Sequence, residues 1–86
     1  MNWTLKFTNK AKRDIDLIHG DSLKSNLRSI LDLLKVNPYQ SPPTFEKLHF
    51  DLTGCFSRRL NRQHRVVYAI FPQKTEVIIY GLHGHY

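Results

Sequence analysis

The chain predicts an α+β fold of order βααβββ, with two N-terminal helices packed on one face of a mostly antiparallel four-stranded sheet. Three observations lead there. Trp3, Leu5 and Phe7 alternate with polar neighbours, Leu23, Leu27, Ile30, Leu31 and Leu34 recur at helical spacing, and three strand-like runs follow Gly54 with connections short enough for hairpins. At 86 residues the chain reads as one domain, 1 to 86, below the usual mode of about 100 to 150.

The first strand is expected over residues 2 to 8, with Trp3, Leu5 and Phe7 on its buried face. Thr8 or Asn9 caps a first helix that runs through Ala11, Ile15 and Ile18 and stops at His19-Gly20, where glycine takes the left-handed conformation. Asp21 or Ser22 caps the second helix, whose leucine stripe leaves Lys24, Arg28, Asp32 and Lys35 on its other faces. Pro38 ends it, because the residue before a proline is driven out of the helical region. Residues 37 to 44 form a stiff proline-rich loop that delivers Phe45-Glu46-Lys47-Leu48. Thr53-Gly54 then turns the chain into strands from Cys55 to Leu60, from Arg65 to Phe71, and from Glu76 to about His85, joined through residues 61 to 64 and 72 to 75.

Strict alternation along the last strand puts Val77, Ile79, Gly81, His83 and His85 on one face, and Ile78, Tyr80, Leu82, Gly84 and Tyr86 on the other. Arg65, Val67, Ala69 and Phe71 share a face of the preceding strand, so pairing of the two brings Arg65 within reach of a histidine.

A net charge of +6 and a pI near 9.8 favour a polyanionic partner, whether RNA, DNA, an acidic protein or an anionic membrane. Beyond residue 47 there are five Lys/Arg against two Asp/Glu, and four of the five are Arg58, Arg59, Arg62 and Arg65. Cys55 is the sole cysteine, which excludes an intramolecular disulfide. The N-terminal residues lack the apolar centre of a signal peptide, and no run approaches the ~20 apolar residues of a membrane span. The expectation is a cytoplasmic protein that uses no membrane.

Glu46, the arginine cluster and the His83-Gly84-His85-Tyr86 tail together suggest work on a phosphate. Histidine titrates near neutrality and a carboxylate complements it, while a guanidinium holds phosphate oxygens and stabilises charge developing on them. Such a set suffices to cleave RNA through attack of its 2′-hydroxyl on the adjacent phosphorus. Plainer readings stand beside this one: Glu46 as a solvated surface charge, the arginines as a binding surface only, and His19 as a helix-end residue. His83 and His85 supply two metal ligands and no cysteine cluster completes four, so no metal is expected.

From Leu48 to Tyr68, through Gly54, Ser57-Arg58-Arg59-Leu60 and His64-Arg65-Val66-Val67-Tyr68, and again at the terminal His85-Tyr86, the chain resembles the YoeB/Txe branch of the RelE toxin superfamily. The resemblance extends over essentially the whole chain in length and element order. It implies a microbial-ribonuclease-like fold and the toxin of a toxin–antitoxin pair, a ribosome-dependent endoribonuclease (mRNA interferase) that inhibits translation without a cofactor. It further implies Glu46 as general base, Arg65 as stabiliser of the transition state, His85 as general acid and Tyr86 as a contact to the substrate. Arg58, Arg59 and Arg62 are assigned to the RNA backbone, or to the acidic segment of a Phd/YefM-type antitoxin.

The partners implied are therefore the ribosome, mRNA and that antitoxin; operator DNA reached through the antitoxin complex, and a homodimer, are left open. Four departures mark this chain. His49 stands where the family carries a lysine, and holds phosphate only when protonated; Phe56 stands for a tryptophan; Arg62-Gln63 stands where relatives often carry an acidic residue before His64; and His83 adds a second imidazole to the tail. A catalytically weak or inactive basic module of the same fold, binding antitoxin and nucleic acid, is the alternative, and a general nucleic-acid-binding domain is a third.

Overall fold

The computed structural model describes residues 2–42, 44–47 and 54–83, His83 by its backbone only. Seven elements follow in order: β1 (Thr4–Phe7), α1 (Asn9–Leu17), α2 (Asp21–Val36), β2 (Phe45–Lys47), β3 (Cys55–Arg59), β4 (Arg65–Phe71) and β5 (Glu76–His83). A 3-10 turn, Pro72–Lys74, links β4 to β5 and closes on Thr75 in the left-handed conformation. The α+β class and the element order agree with the sequence reading, but the sheet has five strands instead of four. The additional strand is β2, three residues that the sequence reading placed just after the loop of residues 37 to 44 and assigned to no element.

The sheet order is β1-β5-β4-β3-β2, with β1 parallel to β5 and every other pairing antiparallel. The strands at the two edges are thus the first and second in the chain, and the two helices carry the backbone from one edge to the other. Their apolar faces fix the side on which they cross. Leu23, Leu27, Ile30 and Leu34 of α2 and Ala11 of α1 are buried in one cluster with Val66, Tyr68, Val77, Ile79 and Leu82 of the central strands. Burying each large aliphatic side chain contributes about 1.5–3 kcal/mol against the entropy of ordering the chain. Among the described residues no helix is long and apolar enough to cross a membrane.

Local chemistry sets the helix ends. Thr8 caps α1, its side chain accepting from Ala11 N at 3.0 Å. The helix stops at Leu17, earlier than expected, where Ile18 turns extended (ψ 145°) and lays its side chain against the core. Gly20 does not stop α1; it occupies the N-cap of α2 at φ 94°, ψ 132°, a conformation that only glycine adopts without strain. Asp21 is therefore the first residue of α2 and not its cap, a favourable place for an acid near the positive end of the helix dipole. Asn37 closes α2 ahead of Pro38, as the sequence predicts.

The alternation expected along β5 is broken. Val67 pairs with Gly81 but Tyr68 pairs with Ile79, leaving Tyr80 as the extra residue of a β-bulge. Leu82 instead of Gly81 joins Val77 and Ile79 in the core, and position 83 comes into register with Arg65.

Candidate active site

Two adjoining ladders place the charged residues. Glu46 stands opposite Ser57, Ser57 opposite Val67, and Arg59 opposite Arg65. Directly opposed residues project from the same side of a sheet, so Glu46, Ser57, Arg59 and Arg65 occupy the face away from the helices, where Val66 and Tyr68 are buried. Arg65 reaches diagonally across that face. Its Nη1 lies 3.5 Å from Glu46 Oε1 and makes an equally long contact, 3.5 Å, to Ser57 Oγ.

The two partners differ in exposure, and the difference suits distinct roles. The Arg65 side chain is 29% exposed, whereas that of Glu46 is 60% exposed. A guanidinium held by packing presents fixed donors to an anion, while the exposed carboxylate stays open to a proton carried by an incoming group. Arg59 is exposed beside them, and Arg62 is exposed in the turn between β3 and β4. That turn is built by Asn61, whose Oδ1 accepts from Gln63 N at 2.8 Å and from His64 N at 2.7 Å.

Arg58 departs from the expected phosphate-facing role. It lies on the helix side of β3 and is 1% exposed. Its Nε donates to Tyr68 Oη at 2.8 Å, its Nη2 donates to the Pro38 carbonyl at 2.9 Å, and its guanidinium carbon sits 4.7 Å from the centre of the Phe45 ring. A buried cation held by a phenol, a carbonyl and an aromatic face joins α2's exit loop and β2 to the central sheet, and gives RNA nothing to touch. The sequence carried the signal: Phe56, Arg58 and Leu60 alternate along the inner face, so Arg58 occupies an apolar position.

Ser57 is the residue that sequence reasoning left out. It is 2% exposed and stands opposite Glu46, on the same sheet face and beneath the Arg65 guanidinium. Burial raises the Cys55 thiol above its ordinary pKa, which disfavours the thiolate and any nucleophilic role. Burial likewise raises the Tyr68 phenol, an effect that the charge and hydrogen bond of Arg58 partly oppose. Among the described residues no three His, Cys, Asp or Glu side chains converge as a metal ion would require.

His83 is in register with Arg65. His49, His85 and Tyr86, also expected at the site, lie outside the described residues.

Residues 7–86 match the family model of the YoeB-like toxin of bacterial type II toxin-antitoxin systems. Among curated protein sequences there is no significant match. Among solved structures the chain is similar to the YoeB/ParE toxin from Agrobacterium tumefaciens, with 21% identity, 96% of this chain and 99% of that one covered, and a TM-score of 0.85. It is also similar to a chain of the heterotetrameric YoeB-YefM toxin-antitoxin complex from Staphylococcus aureus, with 25% identity, all of both chains covered, and a TM-score of 0.80. A third likeness is to the archaeal RelE-RelB complex from Pyrococcus horikoshii OT3, with 18% identity, 98% and 96% of the chains covered, and a TM-score of 0.80.

Proposed function

The chain belongs to the YoeB-like toxins of bacterial type II toxin-antitoxin systems, and on that premise we propose that it is an endoribonuclease that cuts mRNA on the ribosome. The observation that carries this reading is the Glu46–Arg65 pair: a carboxylate and a guanidinium 3.5 Å apart on the outer face of the sheet, within reach of one phosphate.

In this mechanism Glu46 takes the proton of a ribose 2′-hydroxyl and the freed oxygen attacks the adjacent phosphorus. Arg65 holds the equatorial oxygens as negative charge gathers on them. The new O2′–P bond forms as the P–O5′ bond breaks, and His85 gives its proton to the departing O5′. The products are a 2′,3′-cyclic phosphate, open to hydrolysis to a 3′-phosphate, and a 5′-hydroxyl. Tyr86 contacts the substrate at the scissile step, and His49 with Arg59 and Arg62 holds the flanking backbone. The residues supply the acid, the base and the cation that the reaction needs.

The openness of the site supports dependence on the ribosome. Glu46 is mostly solvent-exposed, so alignment of the 2′-oxygen, phosphorus and 5′-oxygen has to come from a surface that presents the message. A chain with a net charge of +6 suits such an RNA-rich surface. The same positive face suits an acidic antitoxin segment of the Phd/YefM type that covers the site and recruits operator DNA through the complex. In this reading the toxin acts in the cytoplasm, where messages are translated.

The test is to induce the protein and map new 5′ ends in cellular RNA, beside Arg65→Ala and His85→Ala variants shown to be folded. Cuts within translated messages that vanish in both variants support the reading. Equal cutting by the variants, or cuts in untranslated RNA alone, would overturn it, and no cuts with the wild type would favour a basic binding module.

A further inference from the structure

Beyond Ile79 the outer edge of β5 loses its strand partner, because β1 ends where Phe7 pairs with Ile79 and the chain turns into α1. The first turns of α1 take over the edge. Thr8 Oγ1 donates to the Tyr80 carbonyl at 2.9 Å, and Leu82 N donates to Asp14 Oδ2 at 3.0 Å. The same carboxylate oxygen holds Lys10 Nζ at 2.7 Å, one turn earlier on the helix. Gly81 fits against that ion pair, since a Cβ there would lie 2.8 Å from Lys10 Nζ and 2.9 Å from Asp14 Oδ2.

These contacts coincide with the Tyr80 bulge, the step that pairs Gly81 with Val67, Leu82 with Val66 and His83 with Arg65. A bulge loosens the ladder locally, and register in its neighbourhood needs a second constraint. Asp14 supplies one by accepting a charge-assisted hydrogen bond from the main chain just beyond the bulge.

We propose that Asp14, supported by Lys10 and Thr8, is a positioning residue that fixes the end of β5 in the register setting His83 opposite Arg65, and with it the point from which the chain runs on to His85. This rests on the reading of the site as a ribonuclease centre that draws its acid from the tail. In this proposal Asp14 acts through the strand, by the hydrogen bond it accepts from Leu82 N.

The experiment compares Asp14→Ala, Asp14→Asn and His85→Ala, singly and with Asp14→Ala and His85→Ala combined, on programmed ribosomes, and measures amide exchange at Leu82 by NMR in the free protein. Asp14→Ala is expected to speed Leu82 exchange about tenfold relative to β4 amides as the main-chain donor loses its acceptor. It should lower kcat about 10- to 100-fold with KM nearly unchanged, the effect of a misplaced proton donor. Asp14→Asn, which keeps an oxygen acceptor, should restore both readouts to within about threefold of wild type. The double variant should be no slower than His85→Ala alone, because both changes remove the same contribution.

Unchanged Leu82 exchange in Asp14→Ala, or a loss of kcat that multiplies with that of His85→Ala, would overturn the proposal. If His85→Ala is fully active, the ribonuclease reading of the tail fails instead, and Leu82 exchange still decides whether Asp14 holds the strand.

Discussion

Arg65 and Arg59 stand directly opposite each other in the β3–β4 ladder, and Arg65 directs its guanidinium diagonally to Glu46, 3.5 Å away. Like charges so paired disfavour the sheet, and the carboxylate offsets part of that repulsion. The resulting cluster has more positive than negative charge, a composition that attracts an anion.

Glu46→Gln therefore separates catalysis from folding. Glu46 is mostly solvent-exposed, so loss of the ion pair should change unfolding free energy by less than about 1 kcal/mol. If Glu46 is the general base, its removal should slow cleavage about 10²- to 10⁴-fold. Single-turnover cleavage on programmed ribosomes, with urea denaturation of the free protein, gives both values; an undiminished rate would remove Glu46 from the mechanism.

Adjacent arginines should behave in opposite ways. Arg58→Ala leaves the Tyr68 hydroxyl and the Pro38 carbonyl without their donor and opens a space beside Phe45, a loss of about 3 kcal/mol or more in stability. Arg59→Ala, at an exposed position, should alter stability by no more than about 0.5 kcal/mol, yet weaken RNA binding and lower its salt dependence by about one phosphate contact. Denaturation curves and salt titrations on both variants check the contrast, and an Arg58→Ala protein as stable as wild type would contradict the buried role.

Alkaline pH should report on the same buried pair. Burial raises the Tyr68 phenol above its ordinary value of 10.0, so the folded chain keeps a proton that the unfolded chain releases. The sign follows from linkage: this contribution to stability is intact below pH 10.0 and is lost as pH climbs from there through the folded-state pKa. Urea midpoints should fall across that window. Tyr68→Phe should be less stable at neutral pH, through the loss of the acceptor for Arg58, but its midpoint should decline less steeply above pH 10.0. Parallel slopes for the two proteins would assign the decline to other groups.

The amphipathic stripe of α2 and the apolar run of β4 were legible because each repeats its period over many residues, long enough for burial to leave a pattern. β2 was not, since three residues show no period and the strand exists by virtue of its pairing with β3, a contact remote in sequence. The Tyr80 bulge escaped for a related reason: alternation predicts faces only while register is unbroken, and what breaks it is the fit of β5 to both β4 and α1. At the site, residue types named Glu46 and Arg65 as candidates, but only the ladder brings them together, whereas the inward position of Arg58 was legible in its alternation with Phe56 and Leu60.

The tail provides the most direct separation of fold from chemistry. Among the described residues β5 runs to His83, and its core residues Val77, Ile79 and Leu82 all precede that point. A chain shortened by its last two residues loses none of the described core, so its unfolding free energy should stay within about 0.5 kcal/mol of the full-length value. If His85 is the acid, the same deletion should slow cleavage about 10²- to 10⁴-fold. A bulky fusion after Tyr86 should impair cutting more than one placed before Met1, because β1 lies at the sheet edge opposite β2, the strand that carries Glu46. Calorimetry and ribosome-dependent cleavage of the truncated and fused proteins decide the matter, and a truncated chain that cuts at the wild-type rate would place the proton donor elsewhere.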